Sequence, residues 1–315
     1  MIKIDLVVPI FMEGEIIEDF AQNAVAELGN YDYQIYLCVD KGLDNTEEKI
    51  SQLCKNNSRI TALFFGPRAG HQTAIYAGLE MSRLDALTIM MDGDLQHPTS
   101  LIPEIIRSLE NGYDICQTVR KSSIDERRYV RWASRLFYRV MSRLSGVDLK
   151  DGMTDFRGIS PHVKSLIISG MNVEQPFLRA YTQWLSFPTQ YIEYEAKPRQ
   201  KGKSKFTLNR LLKFAVSGIV SFSTIPLSLI TIMGFCISFI TALLAMLLMI
   251  LKLMGQVELN GWTSLAVLIL MSLGLQLSIL GIIGQYLVKI VSQLNRKPLY
   301  VTQRILNPIV KRKSI

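Results

Sequence analysis

The chain has 315 residues and a formal net charge of +8, a balance that points to an acidic partner: nucleic acid, anionic lipid or a phosphorylated substrate. Its four cysteines, Cys38, Cys54, Cys116 and Cys236, show neither CxxC spacing nor a paired framework, which argues against a zinc site or disulfide scaffold and for a reducing compartment. No GxGxxG or GK[ST] loop occurs, so dinucleotide and P-loop chemistry have no support, and the acids of FMEGE directly after MIKIDLVVPI argue against a signal peptide.

In chain order, residues 3–10 read as a strand and 15–28 as a helix. A strand at 33–40, a helix at 45–56, a strand at 60–65, a helix at 70–82 and a strand at 86–94 follow. Strand alternating with helix predicts an α/β domain with a mostly parallel sheet and crossover helices, whose ligands bind beyond the carboxyl ends of the strands. Asp40 and the pair Asp92/Asp94 stand at two such ends. With the strand carried through 94, alternation aims both carboxylates of the pair to one side. Two neighbouring carboxylates repel unless a cation sits between them. Mg²⁺ or Mn²⁺, which take oxygen ligands and bridge to phosphates, suit that pair, with Gln96 as a further neutral oxygen. The alternative is an acidic solvated turn. His97 reads first as a hydrogen-bonding turn residue. His71, at a helix start, has phosphate contact as its secondary reading.

Farther on, Arg127, Arg131, Arg135, Arg139 and Arg143 recur every four residues in DERRYVRWASRLFYRVMSRLSG, opposite Val130, Leu136 and Phe137. On a helix that spacing winds as a ridge. Most of these arginines read as solvated; the functional reading is that part of the ridge faces lipid headgroups. Residues 206–222 carry Asn209, Lys213 and Ser217 at four-residue intervals against a leucine-rich side, the pattern of a helix lying in a membrane interface. Between Lys213 and Lys252 no residue is charged, and between Lys252 and Lys289 Glu258 stands alone. A bilayer core of about 30 Å takes roughly 20 apolar residues as helix, so transmembrane helices are expected at about 225–251 and 262–288. Basic residues flank the pair on both outer sides, which places the large N-terminal domain and both termini in the cytoplasm. The organisation expected is 1–205 cytosolic domain, 206–222 interfacial helix, 223–290 two spans and 291–315 basic tail. Gly274, Ser278, Gly281 and Gly284 in the second span permit close helix contact and a homo-oligomer.

VVPIFMEGE, DGDLQHP, MTDFRG and KGKSKF, in this order and ahead of two apolar runs, resemble the family 2 glycosyltransferases, and within them the membrane-anchored polyprenyl-phosphate enzymes such as bactoprenol glucosyltransferases and dolichol-phosphate mannose synthases. The resemblance spans nearly the whole chain. It implies the GT-A nucleotide-sugar fold, a nucleotide sugar and a polyprenyl phosphate as substrates, Mg²⁺ or Mn²⁺ as cofactor, and no nucleic acid. By the same resemblance Pro9, Phe11 and Glu13 belong to the first nucleotide-contacting segment and Asp40 reads the uracil ring. Asp92, Asp94 and Gln96 form the diphosphate-metal site, and Asp155 is an aspartate needed for activity near the transferred sugar. Arg120, Arg131 and Lys205 serve the acceptor phosphate, Lys205 from a segment that closes over the site. Without the family, Asp155 reads as an N-cap or a partner of Arg157. The chain departs from the pattern at Met12, in place of a polar residue, and in the shortened DKGLDNT, with Lys41 and Leu43 in place of an acid and a serine.

The expected reaction is inverting transfer of a hexose, glucose by default and from a UDP-sugar, to undecaprenyl phosphate at the cytoplasmic leaflet of a bacterial inner membrane. A separate flippase and a downstream glycosyltransferase then serve cell-envelope decoration such as O-antigen. A lipid phosphate is already anionic, so the work lies in stabilising the leaving diphosphate and in bringing two anions together. The alternatives are a polysaccharide synthase, against which the missing QxxRW counts, and a non-catalytic membrane protein that retains the fold.

Overall fold

The computed structural model describes residues 2–121, 152–170, 178–195, 261–294 and 298–308, with isolated positions between 236 and 254. The chain divides into two units, one of Met1–Lys205 with Lys297–Ile315 and one of Phe206–Arg296. In the first, β1 (Lys3–Ile10), α1 (Ile17–Leu28), β2 (Asp32–Val39), α2 (Thr46–Asn56), β3 (Ile60–Phe65), α3 (His71–Met81) and β4 (Leu87–Met90) alternate as expected. They are followed by α4 (Ile102–Glu110), β5 (Ile115–Arg120), β6 (Met153–Ile159), α5 (Pro161–Gly170), α6 (Leu178–Trp184), β7 (Thr189–Tyr194) and, after the second unit, β8 (Thr302–Leu306).

Among the described residues these strands form one sheet in the order β7-β5-β6-β4-β1-β2-β3-β8. β1 pairs parallel with β2 and β4, β2 with β3, and β5 with β7. β6 runs antiparallel between β4 and β5, and β8 runs antiparallel to β3. The carboxyl ends of β1, β2, β3, β4, β5 and β7 therefore share one edge with the amino ends of β6 and β8. Alternation along β1 explains the two layers of core. Ile4, Leu6, Val8 and Ile10 pack with α1, α2 and α4, while Val7 packs with α3 and α5. A Cβ at Gly78 of α3 would collide with Val7 and Cys38, so glycine is what lets this helix lie against β1 and β2.

Two expectations change. β4 ends at Met90, not at 94. The Asp94 side chain accepts the Gln96 backbone N–H at 3.1 Å, a local turn that competes with the ladder, and Leu95 has φ +58. Asp92 and Asp94 thus stand in a turn beyond the strand, and strand alternation is not what orients them. The basic tail expected from 291 onward instead supplies β8, bound to β3.

In the second unit α7 (Trp262–Leu294) covers the second apolar run. Over the described residues no helix is long and apolar enough to cross a membrane, many side chains of α7 lying outside that set. The first run at 225–251 has isolated described positions only, and the interfacial helix at 206–222 and the arginine ridge with Arg131 lie outside the described residues, as does Lys205.

Candidate functional site

The shared edge gathers most of the expected residues. Asp155, near the amino end of β6, is 8% exposed and its carboxylate is fully engaged. Oδ1 accepts from Arg157 at 2.8 Å; Oδ2 accepts from Arg179 and from Gln72 Nε2, each at 3.0 Å, and lies 3.3 Å from His71 Nε2. Arg157 is the partner read two residues along the same strand, and it also donates to Thr182 Oγ1 at 2.6 Å, tying β6 to α6. Gln72 accepts the Leu178 N–H, so α3 is tied in as well. Burial alone would raise the Asp155 pKa, but Arg179, His71 and Arg157 hold the group well below the usual carboxylate range. Burial draws Arg157 down to about 10 against the pull of Asp155. Burial also works against a charge on His71, yet its bond to Asp155 and the charges of Asp92 and Asp155 raise it to about 9. Arg179, Gln72 and the link through α6 were missed by sequence reasoning.

Asp92 is the hinge between this cluster and the DGD turn. Its Oδ2 lies 3.1 Å from His97 Nε2. Its Oδ1 is buried and has no hydrogen-bond partner among the described residues; His71 Nε2, 3.4 Å away, is at ion-pair distance without hydrogen-bond geometry. An orphaned carboxylate oxygen suits a hard cation. Asp94 accepts from both the backbone N and the Nε2 of Gln96, the latter at 2.7 Å. Gln96 therefore holds Asp94 with its amide nitrogen. Among the described residues no group of three or more His, Cys, Asp or Glu is arranged to bind a metal. Two carboxylates fit a cation whose remaining ligands come from a diphosphate and water, and these two are the side chains that would hold it. Gly93 between them leaves room for two side-chain ends: a Cβ there would lie 2.5 Å from Ile10 Cδ1 and 2.6 Å from Glu13 Oε2.

The nucleotide-segment residues are more varied. Pro9 is buried within β1. Phe11, just past β1, carries the Arg68 guanidinium 3.9 Å from its ring centroid, making a flat cationic and aromatic face. Glu13 sets its carboxylate beneath the DGD turn and its N–H on Thr46 Oγ1. Asp40 is 4% exposed, and its two oxygens accept the Ala69 and Gly70 N–H groups at 2.8 and 2.9 Å. It shapes the loop before α3, where Gly70 has φ +85. In the altered DKGLDNT segment Leu43 is fully open, while Asp44 accepts from Thr46 and Gly14. Arg120 ends β5 at the same edge, with its N–H on Gly152 O at 2.8 Å.

A mostly parallel α/β sheet with paired acids and clustered basic side chains at its carboxyl edge is the build of an enzyme handling phosphorylated ligands. Residues 5–163 match the family model of glycosyl transferase family 2, and the chain belongs to that family: it is a glycosyltransferase with a GT-A-like fold. It is 31% identical to the SfII prophage-derived bactoprenol glucosyl transferase of Shigella flexneri over 96% of this chain and 98% of that one. It is 29% identical to the prophage bactoprenol glucosyl transferase homolog of Escherichia coli strain K12, over 96% and 99%. To the uncharacterized glycosyltransferase YkcC of Bacillus subtilis strain 168 it is 30% identical, over 96% and 94%. Glucosyl-3-phosphoglycerate synthase from Mycobacterium tuberculosis, solved with Mn²⁺ and UDP, superposes with a TM-score of 0.49 at 14% identity, over 69% of this chain and 76% of that one. At that distance it carries nothing about the ligands of this chain.

Proposed function

We propose that the protein transfers a hexose, glucose in the first instance, from a UDP-sugar to a polyprenyl phosphate at the cytoplasmic face of a membrane. The observation that carries this reading is the sheet edge itself. Asp92 and Asp94 stand there beside a cluster in which Arg157, Arg179 and His71 surround the carboxylate of Asp155. An acidic pair for a cation and clustered basic side chains for an anion are what a nucleoside diphosphate sugar and a phosphate acceptor require. The bactoprenol names of the relatives support the acceptor and the sugar.

Chain routing supports the membrane. β7 ends at the site edge, and β8, antiparallel to β3, begins there. Because β7 and β8 belong to one sheet, any crossings between them come in an even number, in keeping with the two spans expected. Lys213–Lys252 holds no charge between its ends. In α7, Leu265, Leu268, Leu280 and Val288 are all more than half exposed, a cost in water and a gain in lipid. At about 1.5 Å per residue its length exceeds a bilayer core.

In the reaction, a divalent cation held by Asp92 and Asp94 would supply charge neutralisation for the departing diphosphate. Asp155, with all its acceptor capacity taken up, acts as a positioning residue that holds His71 and Arg179 toward the cleft. The Phe11–Arg68 face offers a platform for the base, and Arg120 and Arg131 with Lys205 remain proposed for the acceptor phosphate. The lipid phosphate, already an anion, needs no protein base; its oxygen bonds to the anomeric carbon as the bond from that carbon to the UDP oxygen breaks, and this single displacement inverts the centre. A flippase and an outer-face glycosyltransferase would consume the product. The test is the purified full chain in detergent with undecaprenyl phosphate, Mg²⁺ or Mn²⁺ and radiolabelled nucleotide sugars in turn. Label moving into the lipid phase from UDP-glucose is the expected result; no label from any donor would refute the reading.

A further inference from the structure

We propose that His97 and Tyr194 form a positioning pair that presents one oxygen of Asp92 to the cation, an inference that rests on the metal role given above to Asp92. His97 is 8% exposed and uses both ring nitrogens. Nε2 lies 3.1 Å from Asp92 Oδ2 and Nδ1 lies 2.6 Å from Tyr194 Oη. The ring is packed between Phe156, at 5.3 Å between centroids, and the edge-on ring of Tyr194, at 5.7 Å. A carboxylate only accepts, so Nε2 carries a proton directed at Oδ2, and the contact of Nδ1 with Tyr194 Oη fixes the ring from its other side.

The consequence falls on Asp92. With Oδ2 taken by His97, Oδ1 is left buried and without a hydrogen bond, so the side chain is held for one-oxygen contact with a cation. Groups behind a metal ligand fix its orientation in this way, and their loss typically weakens metal binding 10–100-fold. Tyr194 adds a second link. It is the last residue of β7, its carbonyl accepts the Lys121 N–H at 2.9 Å, and it pairs in register with Arg120. The strand from which the chain departs toward the second unit thus bears, through two hydrogen bonds, on the acid of the DGD turn. His97 lies five residues beyond Asp92, within the turn, and Tyr194 lies 97 residues beyond His97; sheet order brings the tyrosine there.

The experiment is Mn²⁺ binding to the full chain in detergent with UDP present and no acceptor, followed by electron paramagnetic resonance and by calorimetry, alongside thermal unfolding. His97→Leu and Tyr194→Phe are expected to weaken Mn²⁺ binding by about 10-fold or more, with UDP binding at saturating Mn²⁺ unchanged. His97→Gln, whose amide can donate from the Nε2 position, is expected to recover most of the loss. Unchanged Mn²⁺ affinity in Tyr194→Phe, which removes one oxygen and keeps the ring, would overturn the pair even if His97→Leu fails to fold. A wild-type chain that binds no Mn²⁺ with UDP would overturn the metal role of Asp92 itself, and the pair with it.

Discussion

Two buried ionic clusters sit at opposite edges of the same sheet. At the carboxyl edge Asp155 is gripped by Arg157, Arg179, Gln72 and His71. At the amino edge Asp5, fully buried in β1, accepts from the Arg83 backbone N at 2.6 Å and from its Nε at 2.8 Å. Arg83 reaches on to the Ile4 and Asp32 carbonyls, and Lys164 donates to the Arg83 and Ala86 carbonyls and to Thr88 Oγ1. Both clusters are rich in charge and both perturb their carboxylates. The difference lies in what is left over. The amino-edge groups spend themselves on backbone carbonyls and one another, so that cluster closes a loop. The carboxyl edge keeps Asp92 Oδ1 without a hydrogen bond, with only the half-open His71 at ion-pair distance. Buried charge alone is not a sign of function; unmatched capacity facing a cleft is.

Substitutions should separate the two edges cleanly. Arg83→Ala strands Asp5 without its partner, and removing one member of a buried pair costs about 3–5 kcal/mol. Chemical denaturation should show that loss, while transfer per folded molecule stays as in the wild type; a loss of turnover in the folded fraction would break the contrast. Asp94→Asn is the converse. Transfer should fall by at least about 100-fold, roughly 2.7 kcal/mol in the barrier, with the unfolding midpoint nearly unmoved. Full transfer by that variant would remove Asp94 from the chemistry.

Acid should also act on the two buried aspartates with opposite sign. The pKa of Asp155 lies below its unfolded value of 3.8; its pairing is fully present above that value and is lost as pH falls through the folded pKa. Asp5 is raised, burial outweighing Arg83 and Lys164. Its ionisation is a cost above the folded pKa, and that cost disappears below the unfolded one. Denaturation from pH 6 to 3 should therefore show Asp155→Asn losing its disadvantage against the wild type as pH drops, and Asp5→Asn gaining one. Parallel curves for the two variants would erase the distinction.

What could be read from the chain follows the range of the forces involved. Alternating apolar runs are local, and β1 through α3 stood where the periodicity put them. The end of β4 did not, because the Asp94–Gln96 turn competes with the ladder and a run of apolar residues does not encode where a turn wins. Asp92, Asp94 and Asp155 were legible through DGDLQHP and TDFR. Arg179, Gln72 and Tyr194 were not, since nothing near them in sequence announces that β6 inserts antiparallel between β4 and β5. Arg304 read as one more tail charge, yet its guanidinium covers the Phe64 ring at 4.3 Å.

The smallest predicted effect concerns that misread tail. Asn307, at the amino edge, donates from Nδ2 to the Cys54 and Ile60 carbonyls at 2.6 and 3.0 Å, and its own carbonyl accepts from Thr61 Oγ1 at 2.7 Å. Its φ of +51 is a conformation that asparagine tolerates better than most residues. Asn307→Ala keeps the backbone acceptor, loses the side-chain donors and strains the turn, which together should cost about 1–3 kcal/mol. Asn307→Gly relieves the strain without restoring the donors, so it should fall between alanine and wild type in denaturant. Transfer should be untouched in both, as for Arg83→Ala. If neither variant shifts the unfolding transition, β8 is not part of the folded unit, and the routing argument for an even number of crossings loses its anchor.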